Sequence, residues 1–286
     1  MNGKFFNSLF KAAVLSVACL AFVPAESEAV GPVTSRLKKV LFYFKGYQPG
    51  DHNNTPYYAR YVMQLGAANG FVVDTTQDPS VSTQANLATY DVLFLFSAYY
   101  FGNGMTTNQK TAVENWQAQS RGIACFHQCV RNQWGGTAPN WYDRMMGVEY
   151  QTYAGFGSGP VYVDSSVVGT DLGKSSAGTF YPANYRISWE DEWYTYKTNV
   201  RNLPNTKVIL TTLRSQHPSN WGFVAAVGEN HPMAWAREAE GGRFVLSSFF
   251  HRCQPIYGTM FGSSLSMGNQ CNASSPRPDS LAKFID

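Results

Sequence analysis

The sequence has few charged residues and lacks the short motifs that identify many enzyme classes. Only 14% of its 286 residues are Asp, Glu, Lys or Arg, and the formal net charge is +3. This charge is too small and too dispersed to predict binding to a nucleic acid or to an anionic membrane surface. No Gly-x-Gly-x-x-Gly motif follows the first predicted strand and no phosphate-binding lysine motif occurs, so no nucleotide cofactor is expected.

Long hydrophobic runs are also missing, apart from one near the N-terminus. Residues 12–23 are apolar, but this run is too short to span a membrane. Two lysines precede it and a Ser-Glu-Ala sequence follows it, a pattern that predicts a signal peptide over residues 1–29 with cleavage after Ala29. The sequence therefore predicts a secreted or periplasmic protein. A lipoprotein anchored at Cys19 is the alternative.

Cysteine is scarce beyond the predicted signal peptide, where four remain: Cys125, Cys129, Cys253 and Cys271. An even number in an exported chain favours two disulfide bonds over free thiols. A bond between Cys129 and Cys253 would join two loops, because each of these cysteines stands two residues after a histidine. A local bond between Cys253 and Cys271 is the alternative, and the spacing does not decide between them.

Strands and helices alternate through the first half of the mature chain. Strands are predicted at residues 40–44, 71–74, 91–96 and 123–126, and helices at residues 55–69, 84–89 and 106–120. Most of these strands are uninterrupted apolar runs, as expected for strands covered on both faces. The third helix begins with the capping pair Thr106 and Gln109. Regular alternation of this kind predicts right-handed crossovers and a parallel sheet.

The second half gives weaker signals, and nothing in it indicates a second domain. Residues 132–181 are rich in Gly and Ser, which predicts a loop-rich insertion within a single domain of residues 30–286. A helix capped by Asn140 and a short strand near Val161 are predicted inside this insertion. Further strands are predicted at residues 207–213, 231–237 and 243–250, the last two paired across a Gly-Gly turn.

Histidines mark the candidate site, because four of the five stand at predicted strand ends or in the loops between strands and helices. These four are His52, His127, His231 and His251. His127 directly follows the apolar run 123–126, and ligands of open α/β sheets bind just beyond the carboxyl ends of the strands. The fifth, His217, lies in a polar loop and is predicted to be exposed.

A second candidate segment places carboxylates among aromatic residues at Asp191, Glu192, Trp193 and Tyr194. In the simpler interpretation it is a strand whose carboxylates are solvated and whose Trp193 is in the core, and we assign Asp191 to that interpretation. In the functional interpretation Glu192 is an acid, a base or a metal ligand, and Trp193 or Tyr194 stacks on a sugar ring. Trp235 shares the strand face of His231 and either lines the pocket or fills the core.

Seven segments, in their order along the chain, resemble the ThuA-like proteins, a family related in fold to class I glutamine amidotransferases and named for trehalose utilisation. They are residues 50–52 (Gly-Asp-His), 70–78, 87–92, the strand ending at His127, residues 191–194, 231–235 and 241–251. The resemblance implies a flavodoxin-like α/β fold, with a doubly wound, mostly parallel sheet and helices on both faces. It also implies that His127 occupies the position of the amidotransferase nucleophile, so glutaminase activity is not expected.

The resemblance implies a carbohydrate as the small-molecule partner. We predict that His127, His251 and Glu192 transfer protons during hydrolysis, elimination or isomerisation of a sugar or keto-glycoside. His52, Trp193, Tyr194, His231 and Trp235 are predicted to bind the substrate. A non-catalytic carbohydrate-binding module on the same scaffold is the alternative.

The same residues also suit a metal ion. Imidazoles and a carboxylate from His52, His127, His251 and Glu192 match the ligands that zinc or another divalent ion prefers. No His-Glu-x-x-His motif is present, so such a site would be assembled from distant segments.

Overall fold

The computed structural model describes residues 38–45, 55–99, 101–131, 134–168, 185–217 and 227–249. These residues form one sheet of nine strands with four α-helices. The strands are β1 (Lys39–Phe44), β2 (Val72–Thr76), β3 (Val92–Phe96), β4 (Gly122–Phe126), β5 (Tyr150–Val163), β6 (Arg186–Tyr196), β7 (Thr206–Leu213), β8 (Asn230–Ala239) and β9 (Gly242–Ser247). The helices are α1 (Thr55–Asn69), α2 (Gln84–Leu87), α3 (Thr107–Gln117) and α4 (Trp141–Met146). None of the helices in the described ranges is long and apolar enough to cross a membrane.

The sheet is parallel in one half and antiparallel in the other. The strand order is β2-β1-β3-β4-β9-β8-β7-β5-β6, and the first five strands in this order pair in parallel. The remaining pairs are antiparallel. The sequence predicted a mostly parallel sheet, but only the β2-β1-β3-β4-β9 half is parallel. Helical segments connect β1 to β4 in succession, as parallel strands require, whereas β9 joins this half directly from antiparallel β8. The doubly wound arrangement with helices on both faces stays a prediction.

Local sequence signals place most of these elements correctly. Thr106 and Gln109 form the predicted capping box at the start of α3, and Asn140 caps α4 in the same way. Gly147 ends α4 with a φ of 85°, a left-handed conformation that favours glycine. Of the predicted loop-rich insertion at residues 132–181, the structure describes residues 134–168, and this part contains the 14-residue strand β5. Three glycines in β5 weaken the strand signal in the sequence.

Two apolar layers cover the central strands, one on each face. Val40, Phe42 and Phe94 belong to one layer, whereas their neighbours Leu41 and Leu93 belong to the other. This division follows from the strand geometry, which points successive side chains to opposite faces. The continuous apolar runs of β1 and β3 are therefore explained by burial on both sides.

The β5–β6 hairpin folds over the sheet instead of simply extending it. β5 pairs with β7 only through Tyr162 and Val163, so most of the hairpin is free to bend. The backbone carbonyl of Tyr194 on β6 lies 3.1 Å from the His231 ring of β8, and the Tyr196 and Trp235 rings are 5.3 Å apart. In a flat sheet of this order, β4 and β6 would be about 24 Å apart. The fold-over therefore brings β6 back towards the carboxyl end of β4.

Candidate functional site

The chain turns sharply where β4 ends, and we call the 3₁₀ turn of residues His127–Arg131 the elbow turn. His127 has a φ of 59°, which is uncommon for a residue with a side chain. Ser97, which follows the neighbouring strand β3, has a φ of 49°, and its backbone N–H donates to the Phe126 carbonyl at 3.1 Å. Such conformations persist where the surrounding structure holds them, and they cluster at functional sites.

His127 and Glu192 form the centre of the candidate site. The distance from His127 Nε2 to Glu192 Oε2 is 3.6 Å. The His127 side chain is fully buried, whereas that of Glu192 is 18% exposed, so a ligand can reach the carboxylate from solvent. The separation is longer than a normal hydrogen bond, and it leaves the two groups close enough to act on one small polar group. The structure thus brings together two of the three residues that were predicted to be catalytic.

Tyr194 holds the carboxylate in place. Its hydroxyl donates to Oε2 of Glu192, and its ring centroid is 5.8 Å from that of His127. Burial, and next the negative charge of Glu192, raises the pKa of Tyr194 well above its ordinary value. The phenol therefore stays protonated and remains a hydrogen-bond donor near neutral pH.

Alternation along β6 separates the functional side chains from the structural ones. Glu192 and Tyr194 share one face of the strand, while Asp191 and Trp193 point to the other. Trp193 is fully buried, packs against Phe249 and donates from Nε1 to the Gly157 carbonyl at 2.8 Å. The structure therefore places Trp193 in the core, on the strand face opposite to Glu192. The prediction that Asp191 is solvated is wrong, because its side chain is buried and accepts the Glu192 backbone N–H at 2.7 Å.

His231 and Trp235 lie on β8 and contact β6, His231 at Tyr194 and Tyr196 and Trp235 at Tyr196. His231 Nε2 donates to the Tyr194 carbonyl at 3.1 Å, and its ring stacks on Tyr196 with centroids 5.6 Å apart. Trp235 Nε1 donates to the Met146 carbonyl at 2.9 Å. Both side chains contact Tyr196, so they share a strand face as the sequence predicted. Burial lowers the pKa of His231 to about 4, so this imidazole is neutral at pH 7.

The prediction that His217 is exposed is wrong. Its ring is buried, lies 4.4 Å from the Trp193 ring and is 2.6 Å from the Thr212 hydroxyl through Nε2. Burial lowers the pKa of His217 to about 4. Gly159 makes room for this ring, because a Cβ atom at that position would overlap it. The polar sequence around His217 does not indicate that a glycine on another strand leaves space for its ring.

Two predicted site residues, His52 and His251, lie outside the described residues, as do the predicted signal peptide and Cys253 and Cys271. β9, which leads towards His251, is parallel to β4, and Ser247 is paired with Phe126. The carboxyl ends of β4 and β9 therefore meet at the same edge of the sheet. Whether the histidines converge stays a prediction.

A metal site also stays a prediction. Of its four candidate ligands, His127 and Glu192 are the two that the structure describes. Within the described ranges, no three His, Cys, Asp or Glu residues are grouped in a way that could hold a metal ion. A complete ligand set would need at least one residue from the rest of the chain.

Cys125 and Cys129 flank His127 at the elbow turn. Their sulfur atoms lie together as in a disulfide, and their Cα atoms are 5.8 Å apart, within the range of bridged cysteines. Both are fully buried, and the Tyr142 hydroxyl is 3.1 Å from the Cys129 carbonyl and 3.4 Å from Cys125 Sγ. With two disulfide bonds, this pairing agrees with the local alternative that joins Cys253 to Cys271, and it disagrees with a bond between Cys129 and Cys253.

The basic and aromatic residues around the His127–Glu192 pair were not predicted from the sequence. The Arg131 guanidinium lies over the rings of Tyr99 and Tyr150, with Cζ to centroid distances of 4.9 and 5.2 Å. Tyr150 and Tyr153 both contact the Tyr194 ring, and Tyr153 is 42% exposed. The position of Arg131 four residues after His127 was the available signal. Tyr150 and Tyr153 gave none, because they lie in the stretch that was predicted to be loop-rich.

Comparison with known proteins gives a consistent result. The family model described as ThuA, trehalose utilisation, matches residues 39–265. A ThuA-like protein of known structure from Bacteroides uniformis is 18% identical with a TM-score of 0.61, and the match covers 83% of this chain and 90% of that one. Another from Parabacteroides merdae is 11% identical with a TM-score of 0.50, covering 75% and 80%. At these identities the structural likeness concerns the fold alone. A search of curated proteins finds no match.

Proposed function

Because the chain belongs to the ThuA family, whose description is trehalose utilisation, we propose that it acts on a carbohydrate or a keto-glycoside. The observation that carries the proposal is the pairing of His127 with Glu192 at the end of β4. Family membership supports a carbohydrate-related role, and the paired imidazole and carboxylate support proton-transfer chemistry.

Each member of the pair has a distinct part in the proposed reaction. Glu192 is the partly exposed group and takes a proton from a sugar hydroxyl or from a carbon next to a carbonyl. Tyr194 fixes the orientation of the carboxylate through its hydroxyl. The His127 imidazole, 3.6 Å from the carboxylate, is the second proton-transfer group at the same position. On a keto-glycoside, Glu192 removes the proton beside the carbonyl and leaves an enolate. The enolate then expels the glycosidic oxygen on the next carbon, with a C=C bond formed as the C–O bond breaks, and His127 donates the proton that the departing oxygen takes.

His251 is the proposed second histidine of this chemistry. It follows β9, which runs parallel to β4 and ends at the same edge of the sheet. A divalent metal such as zinc, bound by His127 and Glu192 together with His52 or His251, is a further part of the proposal. Elemental analysis of the purified protein tests it, and a stoichiometric metal that is lost in the Glu192→Gln variant is expected. We also propose export, for which N-terminal sequencing of the secreted protein should give Val30 first.

The alternative function is a carbohydrate-binding module without catalysis. The exposed Tyr153 ring and the half-buried Tyr99 and Tyr150 favour it, because tyrosine faces stack on sugar rings. This function needs the aromatic surface but not the His127–Glu192 pair, so the two proposals differ in what the pair contributes.

Turnover and binding measured on the same variants separate the two functions. The panel consists of neutral disaccharides, glycosides and keto-glycosides, assayed with His127→Ala and Glu192→Gln. Removal of a proton-transfer group typically lowers the rate about 100-fold to 10,000-fold. Glu240→Gln is the matched control, because it removes a carboxylate that pairs with Arg144. Lost turnover with retained binding supports the enzyme, whereas a wild-type protein that binds sugars but is inert on the whole panel supports the module.

A further inference from the structure

Arg131 ends the elbow turn that His127 begins, and it is held in place by aromatic rings. Its guanidinium lies over Tyr99, which follows β3, and over Tyr150, the first residue of β5. Contact with two rings favours the cation and immobilises its flexible side chain. Three separate elements thus fix one positive charge in the site.

The charge of Arg131 has no carboxylate partner among the described residues. Elsewhere in the described chain Arg121 pairs with Asp91 at 2.7 Å, and Arg201 pairs with Asp164 at 2.5 Å. At Arg131 the Nε atom is buried and makes no hydrogen bond, although the side chain as a whole is half-buried. A buried donor without an acceptor is rare in folded proteins and needs an explanation. A ligand carboxylate would give the guanidinium the anionic partner that the described residues do not provide.

Stacking also determines what kind of ligand fits. Rings packed on a guanidinium cover its faces but leave its N–H groups free in the plane. Those groups form a fork that matches the two oxygens of a carboxylate. A dianionic phosphate usually requires further cations or a cradle of backbone N–H groups, and the negative charge of Glu192 close by disfavours a second negative charge. The arrangement therefore suits a singly charged carboxylate.

The tyrosines connect Arg131 to the reacting groups. The Tyr150 ring is 6.0 Å from the Tyr194 ring, whose hydroxyl contacts Glu192. Burial raises the pKa of Tyr150, the positive charge of Arg131 opposes this rise, and the negative charge of Glu192 adds to it. Both charges therefore act on the same aromatic surface, the cation at one end and the carboxylate at the other.

We propose that the site takes an acidic carbohydrate, such as a uronic acid unit, with its carboxylate on Arg131 and its reacting carbon at the His127–Glu192 pair. This inference rests on the proposed function, since it names the substrate class of the same site. Arg131 is the specificity-determining residue in this arrangement, and the tyrosines stack on the sugar.

Calorimetric titration with matched ligands tests the proposal. The probes are methyl glucuronide, methyl glucoside and glucose 6-phosphate, which differ in the charged group. Wild-type protein should bind methyl glucuronide roughly tenfold to a hundredfold more tightly than methyl glucoside, the difference expected for a hydrogen-bonded charged pair. Arg131→Gln should remove this preference, and Arg131→Lys should keep part of it because the charge remains without the fork. Arg144→Gln, an exposed arginine paired with Glu240, is the charge-matched control and should change nothing.

The outcomes distinguish this inference from the proposed chemistry. Circular dichroism and thermal melting show whether each variant is folded. If Arg131→Gln is unfolded, Arg131→Lys replaces it in the binding comparison. The inference is overturned if wild-type protein binds methyl glucuronide and methyl glucoside with equal affinity. It is also overturned if glucose 6-phosphate binds more tightly than methyl glucuronide and Arg131→Gln weakens the binding of both to the same degree. His127→Ala should retain the preference for glucuronide. If that preference is present but no acidic glycoside is turned over, the acidic subsite stands and the proton-transfer function fails.

Discussion

Two buried neutral histidines should make the protein lose stability in mild acid. Burial lowers the pKa of both His217 and His231 to about 4, from an ordinary value of 6.5. Between pH 6.5 and pH 4, the unfolded chain protonates these two histidines, whereas the folded protein keeps them neutral. The contribution of the two neutral histidines to the free energy of unfolding is therefore fully present above pH 6.5, and it is lost as the pH falls towards 4.

The size of the effect follows from the two pKa values. For one histidine with a pKa of 6.5 unfolded and about 4 folded, linkage gives a loss of about 2 kcal/mol between pH 7 and pH 5. The two histidines together give about 4 kcal/mol, a large part of the stability of a typical domain. The buried carboxylate of Asp164 adds little to the change between pH 7 and pH 5. Its hydrogen bonds to Arg201 and Ser166 outweigh its burial and lower its pKa below 3.8, so its contribution to stability is lost only in stronger acid.

Urea unfolding at several pH values between 7 and 5 measures this loss. His231→Gln keeps a donor for the Tyr194 carbonyl but cannot take up a proton, so its loss should be smaller than that of wild type by about 2 kcal/mol. His217→Gln should behave likewise, and the double variant should combine both effects. Trp235→Phe is the control, since it removes a buried non-titrating group and should leave the pH dependence unchanged. The reasoning is refuted if His231→Gln loses as much stability between pH 7 and pH 5 as wild type.

Three further predictions concern packing and the elbow turn. Gly242→Ala should lower the free energy of unfolding by about 1–3 kcal/mol, because the added Cβ would overlap Gln117. Gly122→Ala in neighbouring β4 is the control, since its added Cβ would have its nearest neighbour at 3.4 Å and should lower the free energy of unfolding much less. Thermal melting of both variants measures the difference. Trp235→Phe should also cost about 1–3 kcal/mol in urea unfolding, because the buried Met146 carbonyl loses its donor, and an unchanged midpoint would contradict this role. Alkylation of the unfolded, unreduced protein followed by mass spectrometry should leave Cys125 and Cys129 unmodified and joined in one peptide. A cross-link from either of these two cysteines to Cys253 or Cys271 would contradict the pairing.

Much of the fold was predictable because its signals are local. β1, β3 and β4 are uninterrupted apolar runs, and their alternate side chains enter the two layers on opposite faces of the sheet. Thr106 and Asn140 begin helices through capping boxes that depend on residues three positions away. These interactions need no knowledge of the rest of the chain. The resemblance to the ThuA family is likewise carried by local signals, because it consists of short segments in a fixed order.

The site was only partly predictable, because its geometry depends on contacts between distant segments. The end of the β4 run pointed to His127, and alternation along β6 separates Glu192 and Tyr194 from Trp193. No local pattern showed that the β5–β6 hairpin folds over β8, so the tyrosines of β5 were missed. His217 was misplaced for a similar reason, since the space it fills is created by Gly159 on another strand.

The fold-over of the β5–β6 hairpin makes the His127–Glu192 contact depend on tertiary assembly. Residues that are 65 positions apart in sequence meet only when the hairpin is docked on the Tyr196–Trp235 contact. Undocking this one unit would separate imidazole from carboxylate while the parallel half of the sheet stayed intact. In the proposed reaction, loss of turnover should therefore precede global unfolding, so turnover would report hairpin docking.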